Sequence, residues 1–551
     1  MTKKTKLSGL NFISIGGCTE IGMNLYAYIY NDQWILVDMG MGFDGTMGRE
    51  LIVPSPVELV KNKSKIKALF ITHSHEDHIG AIPYLWPMIE CPIYGRSFAI
   101  EMIKDKLMQF DLANSVPLIK VGLNQKIKIG SFSLEFLSMA HSTPESSALA
   151  ITAGKDTIIH SGDWRIDNDP VLGDKTDIDA LKAYGDKGVL ALICDSTNAC
   201  RKEHYITEKE VRENLIKLVK DHPNRRIVVT CFASNLARLE SCYYAAKANN
   251  RKVILAGRSL KKIEKLARLS GYFSDVPAFG DERSINDINP KEALLVCTGS
   301  QGESGSSLNK IANDIHKNIK LGNGDVLVFS SKTIPGNEKS VLDVQNLLTE
   351  KGVKIITNED GDIHASGHPS QEELETLYKV VRPKILIPIH GERIHLYRQA
   401  EIAEKFGISS TLIPHDGEVI NISAAGAKVI EENHSEMLAV DGNKLIPLHG
   451  NIYKAREKLS TDGVVSLCIK YSKNDVKLLS IEYIGVFEES ETKEMKETEK
   501  AIDAEIRLSL ENVNRKAFSD TQKLKDAIKR IVKTVFVDTR DKKPMVITHI
   551  V

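Results

Sequence analysis

The sequence predicts a multidomain α/β protein. Its 551 residues exceed the usual size of one domain, which is about 150 residues. Between residues 190 and 360, strand-like and helix-like segments alternate, which predicts βαβ units around a largely parallel sheet. Apolar residues make up 42% of the chain and charged residues 26%, close to the averages of soluble globular proteins. This composition excludes collagen-like, disordered and membrane-dominated classes.

The first part of the chain contains short apolar runs that are typical of β-strands. These runs are NFISIG, WILVD, KALFITH, FSLEFLSMAH and DTIIHSGD, all before residue 165. Each run ends in Gly, Asp or His. Polar residues at the ends of buried strands are where binding sites form, so we expect a site at these ends.

The middle of the chain alternates between two kinds of segment. The strand-like runs are VLALICD, RIVVTCFAS, KVILAG, ALLVCTG, DVLVFSS and VKIITN. The helix-like runs between them are EKEVRENLIKLVK, NLARLESCYYAAKA and EKSVLDVQNLLTE. After residue 365 come one more helix, QEELETLYKVV, and one more strand, KILIPIHG. Strands that alternate with helices in this way favour a parallel sheet covered by helices.

The last part of the chain predicts a small α+β domain after a linker. The apolar pattern weakens between residues 425 and 450, where we expect the linker. From about residue 455 the chain has a strand-like run, GVVSLCIK, and then a charged helical segment near 490 to 532. Carboxylate and Lys residues three or four positions apart in that segment predict a solvated helix face.

Charge, hydropathy and cysteine spacing limit the function classes. Lys plus Arg and Asp plus Glu both number 73, so bulk charge does not indicate a nucleic-acid partner. The start, MTKKTK, precedes only a short apolar run interrupted by Gly, and no window approaches 18 apolar residues. We therefore expect a cytoplasmic protein without a membrane segment. The 8 cysteines show no CxxC spacing, which argues against a zinc finger or a disulfide framework.

The densest chemical signal is the motif THSHEDH, residues 72 to 78. A strand, KALFI, leads directly into His73, His75, Asp77 and His78. Imidazole nitrogen and carboxylate oxygen are ligands that divalent metals such as zinc accept at about 2.0–2.2 Å. Four such groups crowd a single tetrahedral ion once ligands from elsewhere are added. The motif therefore predicts two metal ions.

Further ligands are predicted at the ends of later strands. His141 follows FLSMA and Asp163 follows IIHSG. Taken alone, His141 fits a structural histidine and Asp163 a turn residue, but together they complete a ligand set. A carboxylate such as Asp163 can bridge two cations. Asp38, at the end of WILVD, is a candidate acceptor for the N–H of a ligating imidazole, although it also fits a turn.

Asp38, the HxHxDH motif, His141 and Asp163 resemble four successive motifs of the metallo-β-lactamase superfamily. The resemblance implies an αββα sandwich that binds two zinc ions per subunit, with Mn²⁺ and Mg²⁺ as alternatives. It implies that His73, His75 and His141 hold one ion, that Asp77 and His78 hold the other, and that Asp163 bridges them. Water activated by the ions would be the nucleophile.

The order of motifs along the chain resembles the β-CASP group and, within it, the bacterial ribonuclease J family. These motifs are GGCTEIGMN, THSHEDHIGAIPY, CDSTNA, FASN, GRS, CTGSQGE, IPGNE, HASGH and IPIHGE. The resemblance implies a metallo-β-lactamase domain over residues 1–195, a β-CASP domain over 196–364, and a return segment with linker over 365–445. A C-terminal domain would cover residues 455–551.

The resemblance also implies roles for residues of the later motifs. His390 would complete the coordination of the second ion, and Asp77, Asp195, His364 and His368 would take part in catalysis. The residues implied in RNA binding are Ser234, Asn235, Arg258, Ser330, Ser331, Asn337, His364, Ser366, Gly367 and His368. Small residues in HASGH leave backbone N–H groups free to face a phosphate. CTGSQGESG lacks the GK[ST] ending of a P-loop, so we expect no nucleotide cofactor.

The chain departs from the family pattern at three places. Ser74 stands where Gly is commoner, GESGSS lacks the Pro that often follows Glu303, and GRELIVPSP at residues 48–56 lacks the usual Pro-Asp pair. The first two departures remove no ligand, and the third could alter the rim of the cleft or the fit of the substrate.

The predicted function is that of a metal-dependent ribonuclease in RNA maturation and decay. The resemblance implies 5′ to 3′ exonuclease activity on 5′-monophosphate RNA, endonuclease activity, a homodimer or homotetramer, and a place in an RNA-degradation assembly. Its partner would be single-stranded RNA. With no net charge and only 6% aromatic residues, the chain must concentrate its positive groups in a channel that follows the RNA backbone.

Four alternatives remain at this point. A thioester or lactam hydrolase needs the metal motifs but not HASGH. A non-catalytic RNA-binding subunit would show lost ligands. A DNA-directed β-CASP nuclease and an endonuclease for messenger 3′ ends share the mechanism but fit the later motifs less well.

Overall fold

The computed structural model describes residues 7–44, 51–202, 206–433, 435–472, 476–511 and 521–551. Two compact units divide the chain, one ending at Leu445 and the other continuing from Ile446. Residues 48–50 of the atypical GRELIVPSP segment lie outside the described residues, whereas its remainder contains a short strand. None of the helices in the described ranges combines the length and the apolar character that crossing a bilayer requires.

Strands outnumber helices among the described residues up to residue 195. The strands are β1 (Leu10–Gly16), β2 (Leu25–Tyr30), β3 (Gln33–Val37), β4 (Gly42–Phe43), β5 (Leu51–Pro54), β6 (Ile66–Phe70), β7 (Ile93–Gly95), β8 (Leu118–Lys120), β9 (Ile127–Ile129), β10 (Phe132–Ser138), β11 (Ser147–Ala153), β12 (Asp156–His160) and β13 (Ala191–Asp195). The helices are α1 (Val57–Lys61), α2 (Glu76–Ile79), α3 (Ile82–Ile89), α4 (Ser97–Met108) and α5 (Ile178–Lys187).

The middle of the chain alternates between helices and strands. The helices are α6 (Glu208–Asp221), α7 (Leu236–Ala248), α8 (Arg258–Leu269), α9 (Ser307–Ala312) and α10 (Glu338–Glu350). The strands are β14 (Ile227–Thr230), β15 (Lys252–Ala256), β16 (Gly280–Asp281), β17 (Ala293–Cys297), β18 (Val326–Phe329) and β19 (Lys354–Ile356). This alternation agrees with the pattern read from the sequence.

The remaining elements complete both units. They are α11 (Gln371–Val381), β20 (Ile385–Ile389), α12 (Arg393–Phe406), β21 (Ser410–Thr411), β22 (Glu418–Ser423), β23 (Gly426–Glu432), β24 (Met437–Asp441), β25 (Lys444–Pro447), α13 (Asn451–Asp462), β26 (Val464–Tyr471), β27 (Val476–Ile484), α14 (Thr492–Glu511), α15 (Thr521–Arg540) and β28 (Met545–Ile550).

Two sheets face each other in the first unit. An eight-stranded sheet has the order β23-β22-β1-β2-β3-β6-β7-β8, and a seven-stranded sheet has the order β21-β20-β13-β12-β11-β10-β9. Their inner faces share one apolar core, in which the rings of Phe70 and Phe136 lie 6.3 Å apart. Helices α3 and α4 pack on the outer face of the first sheet, and α5, α11 and α12 on that of the second. Because helices cover both outer faces, central strands such as β13 are buried throughout.

The middle segment forms a separate parallel sheet. Its six strands have the order β16-β15-β17-β14-β18-β19, and every neighbouring pair is parallel. Helices α6, α7 and α8 pack on one face and α9 and α10 on the other. The strand order reverses at β14, and in such sheets ligands bind where the loops after the central strands diverge. The loops after β14 and β18 lie at this point.

The return of the chain to the seven-stranded sheet assembles the site. Strand β20 pairs in parallel with β13, placing Asp195 opposite Ile389, and β13 pairs in parallel with β12, placing Ile193 opposite His160. Parallel strands end at the same edge of a sheet. The residues that follow β12, β13 and β20 therefore meet at one edge, although more than 200 positions separate β12 from β20 in the sequence.

The linker expected at residues 425–450 is largely occupied by strands. Strand β23 pairs with β22 at the edge of the eight-stranded sheet, and β24 pairs with β5 in a four-stranded sheet of order β25-β24-β5-β4. None of the seven residues of β23 is buried. An edge strand buries little side-chain surface, so it lacks the apolar run by which strands are recognised in a sequence.

The second unit is a small α+β domain. Its sheet has the order β27-β26-β28. Helices α14 and α15 cover one face, with Ile502, Ile506 and Phe536 in the core beside Leu467 and Ile469. The charged segment predicted to be helical thus contributes an apolar stripe as well as a solvated face.

We expect Phe136→Ala to destabilise the first unit by about 3–5 kcal/mol, because it empties a fully buried position between the two sheets. Urea unfolding monitored by intrinsic fluorescence measures the change. Phe43→Ala is the matched control, since the Phe43 side chain is 68% exposed and its loss should change the free energy of unfolding little. Equal effects of the two substitutions would contradict the two-layer core.

Candidate metal centre

Five strand ends converge on one carboxylate. His73 follows β6, His141 follows β10, Asp163 follows β12, Asp195 ends β13 and His390 follows β20. The short helix α2 adds Asp77 and His78, with His75 at its N-cap. Three groups with closely spaced ligand atoms result, and Asp163 belongs to all of them.

The first group contains His73, His75, His141 and Asp163. Nδ1 of His75 lies 3.1 Å from Nε2 of His73 and 3.1 Å from Nε2 of His141. Oδ2 of Asp163 lies 3.7 Å from Nε2 of His73 and 3.8 Å from Nε2 of His141. Donors bound tetrahedrally to zinc at about 2.0–2.1 Å are roughly 3.3 Å apart, so these distances suit one ion.

The imidazole tautomers of this group suit a bound cation better than a hydrogen-bond network. Thr72 donates its hydroxyl to Asp38, so Nδ1 of His73, 3.1 Å from that hydroxyl oxygen, is the donor there. Nδ1 of His141 donates to the Gly367 carbonyl over 2.6 Å. Both Nε2 atoms therefore carry lone pairs, and both face Nδ1 of His75, which has at most one proton for them. A cation between the three nitrogens resolves this repulsion.

The second group contains Asp77, His78, His390 and Asp163. Nε2 of His78 lies 3.3 Å from Oδ2 of Asp163 and 3.4 Å from Oδ2 of Asp77. Nε2 of His390 lies 3.1 Å and 3.3 Å from the same two oxygens. The buried Oδ1 of Asp163 has no hydrogen-bond partner among the described residues. The donor set thus fits a second cation, with Asp163 shared between both groups.

Asp38 fixes the orientation of His78. Its Oδ2 accepts from Nδ1 of His78 over 2.7 Å, and its Oδ1 accepts from the backbone N–H of Thr72 over 2.8 Å. The first bond directs Nε2 of His78 toward the cluster. Asp38 is fully buried and has a φ of 59°, a conformation that few residues other than Gly adopt. The geometry matches the acceptor role that the sequence suggested for Asp38.

Burial and mutual charge set the protonation of the cluster. Burial lowers the pKa of His73 and His141 and brings the pKa of His75 to about 4, so these rings are in the neutral, metal-binding form. Burial opposes ionisation of Asp77 and Asp163, yet nearby His78 and His390 hold the pKa of both carboxyls well below the usual range. The same carboxylates overcome burial and raise the pKa of His390 to about 10. Cations therefore compete with protons at this second group.

His368 and Asp195 form the third group with Asp163. Nδ1 of His368 lies 2.8 Å from Oδ2 of Asp195 and 3.8 Å from Oδ2 of Asp163. Burial disfavours the imidazolium, but Asp195 raises the pKa of His368 above its ordinary value. Asp195 is held in turn by Thr197, whose N–H and hydroxyl both donate to Oδ1. This pair can present a proton donor at the rim of the metal cluster.

His364 is not brought into these groups. Burial, together with the cations Arg238 and Lys332, brings its pKa to about 3, and its Nδ1 is buried without a partner among the described residues. Its place among positive side chains suits contact with an anion. The predicted catalytic role of His364 stays a prediction.

The residues predicted to bind RNA lie mostly in loops at the carboxyl edge of the six-stranded sheet. Several of their side chains bond within the protein. Oδ1 of Asn235 caps α7, the Ser330 hydroxyl donates to the Ile363 carbonyl, and Nδ2 of Asn337 donates to Gln301. Ser366 accepts from Nδ2 of Asn198 over 2.8 Å. Arg258 is exposed at the start of α8. Direct contact with RNA stays a prediction for these residues and for Ser234 and Ser331.

Three residues near the cluster were not identified from the sequence. The N–H and Nδ2 of Asn24 both donate to the Asp77 carbonyl, over 3.0 Å and 3.2 Å. A Cβ atom on Gly40 would lie 1.6 Å from that carbonyl oxygen, so only Gly fits there. Arg165 donates to the Ser366 carbonyl over 3.0 Å. Both Gly40 and Arg165 closely follow a strand-end Asp, which is the signal that could have indicated them.

The departure at Ser74 has a structural explanation. The Ser74 hydroxyl lies 2.8 Å from the Thr143 hydroxyl, and both residues are buried. This hydrogen bond ties the loop of His73 and His75 to the loop of His141. Ser74 therefore adds a contact that Gly could not make.

We expect Gly367→Ala to weaken zinc binding by about 10- to 100-fold. The added Cβ would lie 2.7 Å from Cε1 of His141, which would force that ring away from His75. Zinc content after dialysis against a graded metal buffer measures the effect. Gly361→Ala is the matched control, because its Cβ would meet nothing within 4 Å. Unchanged zinc affinity in Gly367→Ala would show that His141 does not depend on this close approach.

A half-buried carboxyl pair, Glu20 and Asp416, supports the loop behind His390. Glu20 accepts from the Gly17 N–H over 2.8 Å, and Asp416 accepts from the Ser14 hydroxyl over 2.5 Å. The Gly17 carbonyl accepts the backbone N–H of His390 over 2.6 Å. Burial and the neighbouring Asp416 raise the pKa of Glu20 to about 7.

We expect a pH-dependent stability difference between the wild type and Glu20→Gln. Because the fold favours protonated Glu20, its contribution is complete below the ordinary pKa of 4.5 and is lost as pH rises through about 7. The Gln side chain of the variant does not titrate. The free energy of unfolding of the variant should therefore rise relative to that of the wild type between pH 4.5 and about 7. Urea titrations from about pH 5 to 8 measure the difference. If the unfolding free energies of the wild type and Glu20→Gln change in parallel with pH, the assignment is contradicted. Such parallel curves are expected for the control Glu350→Gln, at an exposed position.

Family models match four stretches of the chain. They are "Metallo-beta-lactamase superfamily" at residues 21–195, "Ribonuclease J, beta-CASP domain" at 224–348, "Zn-dependent metallo-hydrolase RNA specificity domain" at 361–414 and "Ribonuclease J C-terminal domain" at 452–551. The α/β fold class, with a metallo-β-lactamase sandwich, an inserted β-CASP domain and a C-terminal domain, is thereby confirmed.

Whole-chain relatives agree with these matches. The chain is 36% identical to "Ribonuclease J" of Sinorhizobium meliloti over 547 residues, which cover 98% of this chain and 97% of the relative. It is 32% identical to "Ribonuclease J 1" of Streptococcus pyogenes serotype M3, with the same coverages. A crystal structure of a protein of unknown function from Enterococcus faecalis V583 shares the fold, with a TM-score of 0.51 and 17% identity, over 75% of this chain and 100% of that one. The resemblance inferred from the order of the motifs is confirmed, and the chain belongs to the ribonuclease J family.

Proposed function

We propose that the protein is a ribonuclease that hydrolyses RNA phosphodiesters with two divalent ions per subunit. The observation that carries the proposal is the sharing of Asp163 by three groups, two suited to cations and one formed by His368 and Asp195. His73, His75 and His141 would hold one ion, Asp77, His78 and His390 the other, and Asp163 would contact both. Zinc suits this nitrogen-rich set best, with Mn²⁺ and Mg²⁺ as alternatives. Bound ions would polarise the phosphate and lower the pKa of water.

Side chains of the protein would accept and donate the protons that the reaction transfers. Asp77 is the most exposed of the acidic residues in the cluster, with 26% of its side chain accessible, so it can accept a proton from attacking water. His368 is held by Asp195 in a form that favours the imidazolium, and 23% of its side chain is accessible. It can therefore donate a proton to the leaving 3′ oxygen while Asp195 stabilises its charge.

The surroundings of His364 support recognition of a 5′ monophosphate. Burial and the positive side chains of Arg238, Lys332, Arg165 and Arg201 lower the pKa of His364. Arg238 and Arg165 are buried and bonded to protein acceptors, so the exposed Lys332 and the half-buried Arg201 are the groups that can meet a phosphate. The adjoining residues Ser366 and Gly367 are small, so a phosphate can approach the backbone. A compact anion site on the same short segment as His368 would align a 5′-terminal nucleotide at the metal cluster for cleavage. We therefore propose 5′ to 3′ exonuclease activity on monophosphorylated ends, with endonuclease activity when RNA is threaded past this site.

The rival functions explain less of the molecule. A thioester or lactam hydrolase requires neither the parallel-sheet insertion nor the His368–Asp195 pair. A non-catalytic RNA-binding subunit has no use for a complete ligand set. We also propose, from family membership, cytoplasmic action in RNA maturation and decay, a homodimer or homotetramer formed through residues 455–551, and a place in an RNA-degradation assembly.

The test is cleavage of one 5′-labelled single-stranded RNA, offered with a 5′ monophosphate and with a 5′ triphosphate. We expect mononucleotide release from the monophosphate form, loss of cleavage with a chelator, and internal cuts as the main products of the triphosphate form. His75→Ala should abolish cleavage with little effect on folding, because His75 lies in a loop. The matched control is His415→Ala, at an exposed position in another loop.

The controls separate the rival functions. DNA of the same sequence and a thioester are offered in parallel. Thioester turnover without RNA cleavage would favour the small-molecule hydrolase, and cleavage of DNA alone would favour a DNA-directed nuclease. RNA that is bound but stays intact with Zn²⁺, Mn²⁺ and Mg²⁺ would favour the non-catalytic subunit.

A further inference from the structure

The segment from Ile363 to His368 has no regular secondary structure, yet it carries key contacts of the candidate site. Gly367 accepts from His141, and His368 bonds to Asp195. Without a helix or strand to fix the backbone, its position depends on side chains that reach it from elsewhere. Besides Ser330, His141 and Asp195, the buried side chains that reach it are those of Arg238, Arg165 and Asn198.

Arg238 holds the start of the segment. It lies on α7, is fully buried, and donates from Nη1 to the Ile363 carbonyl over 3.0 Å. The same Nη1 atom lies 2.6 Å from both the carbonyl and the hydroxyl oxygen of Ser330, in the loop after β18. Nη2 donates to both carboxylate oxygens of Glu208 over 3.1 Å, and this pairing offsets the buried charge. Arg238 thus joins α6, α7 and the loop after β18 to the segment.

Arg165 and Asn198 hold the other end. Nη1 of Arg165 donates to the Ser366 carbonyl over 3.0 Å, and its Nη2 donates to the Ile206 carbonyl over 3.2 Å. Nδ2 of Asn198 donates to the Ser366 hydroxyl oxygen over 2.8 Å and to the His368 carbonyl over 3.1 Å. These contacts immediately flank the residues that meet His141 and Asp195.

We propose that Arg238, Arg165 and Asn198 are positioning residues that hold the 363–368 segment so that His368 meets the reacting phosphate at the metal cluster. The inference rests on the proposed ribonuclease function and deepens it. Because Arg238 also bonds to Ser330 and follows the Asn235 cap, it connects the loops predicted to contact RNA with His368. Substrate that orders those loops would at the same time order the catalytic segment.

The chemistry of the anchors explains why these residue types are needed. A guanidinium has five N–H donors in a rigid plane, so one Arg can reach several carbonyls and a carboxylate together. A Lys ammonium keeps the charge but has a single nitrogen, so it cannot span the same acceptors. Arg→Lys substitutions should therefore loosen the segment without leaving Glu208 unpaired.

The experiment compares Arg238→Lys, Arg165→Lys and Asn198→Ala with the wild type. Measurements are kcat and KM for 5′-monophosphate RNA, metal content and thermal unfolding. We expect kcat to fall about a hundredfold, because a displacement of about 1 Å at a catalytic group has an effect of this size. KM and metal content should change by smaller factors than kcat, since the anchors bind neither RNA nor metal themselves and affect both only through the segment that they hold.

Matched controls remove the effect of general destabilisation. Arg251 is also buried and donates to three carbonyls, those of Arg225, Ala293 and His222, without contacting the segment. Asn249 likewise donates from Nδ2 to two carbonyls, those of Ile216 and Ala245. Arg251→Lys and Asn249→Ala should lower thermal stability to a similar extent and leave kcat unchanged.

The outcomes distinguish a failure of the proposed ribonuclease function from a failure of the positioning role. If the wild type does not cleave RNA, the proposed function fails and this inference with it. If the wild type cleaves RNA and the anchor variants keep the kcat of their controls, only the positioning role is overturned. If the Arg variants do not fold, Asn198→Ala tests the positioning role, since this substitution removes no charge. A fall in kcat that exceeds any change in KM supports the role. An unchanged kcat overturns it.

Discussion

One carboxylate oxygen organises the catalytic half of this protein. Oδ2 of Asp163 lies within 3.8 Å of nitrogen atoms from His73, His78, His141, His368 and His390. A carboxylate as buried as Asp163 is tolerated only with such compensation, and the same charge suits it to contact two cations. The surrounding strands must therefore bring five imidazoles to one point, and this requirement explains why the ligands sit just beyond strand ends rather than within strands.

Parallel pairing meets that requirement across great distances in the sequence. Strands β12, β13 and β20 end at one edge of the seven-stranded sheet, so Asp163, Asp195 and His390 meet there although an entire parallel-sheet domain lies between the last two. The inserted domain then contributes through one irregular segment, residues 363–368, held by buried donors from both sides. The proposed proton donor, His368, lies on this junction, so its position depends on both domains.

The site could be predicted where neighbouring residues carry the signal. The motif THSHEDH places four side chains of metal-ligating types beside one strand, so a metal site could be predicted without a fold. Strand ends then indicated His141 and Asp163, and family resemblance added His390. The contacts that support the site could not be predicted from the sequence. Asn24 serves the site through the Asp77 carbonyl, and Asn235 and Ser330, expected to face RNA, are engaged in a helix cap and with Ile363. Which partner a polar side chain selects depends on distances between segments that no local pattern encodes.

By itself, the amino-acid sequence determined the fold class, the family and the candidate metal ligands, because hydrophobic periodicity and clustered ligand types are local properties of a chain. Only the tertiary structure decided that β23, β24 and β25 occupy much of the expected linker, that His368 and not His364 joins Asp163, and that Arg238 reaches the Ile363 carbonyl. Each of these depends on which surfaces are buried against each other. Burial and hydrogen-bond partnership are settled by the packing of distant segments, so they emerge only when the whole chain has folded.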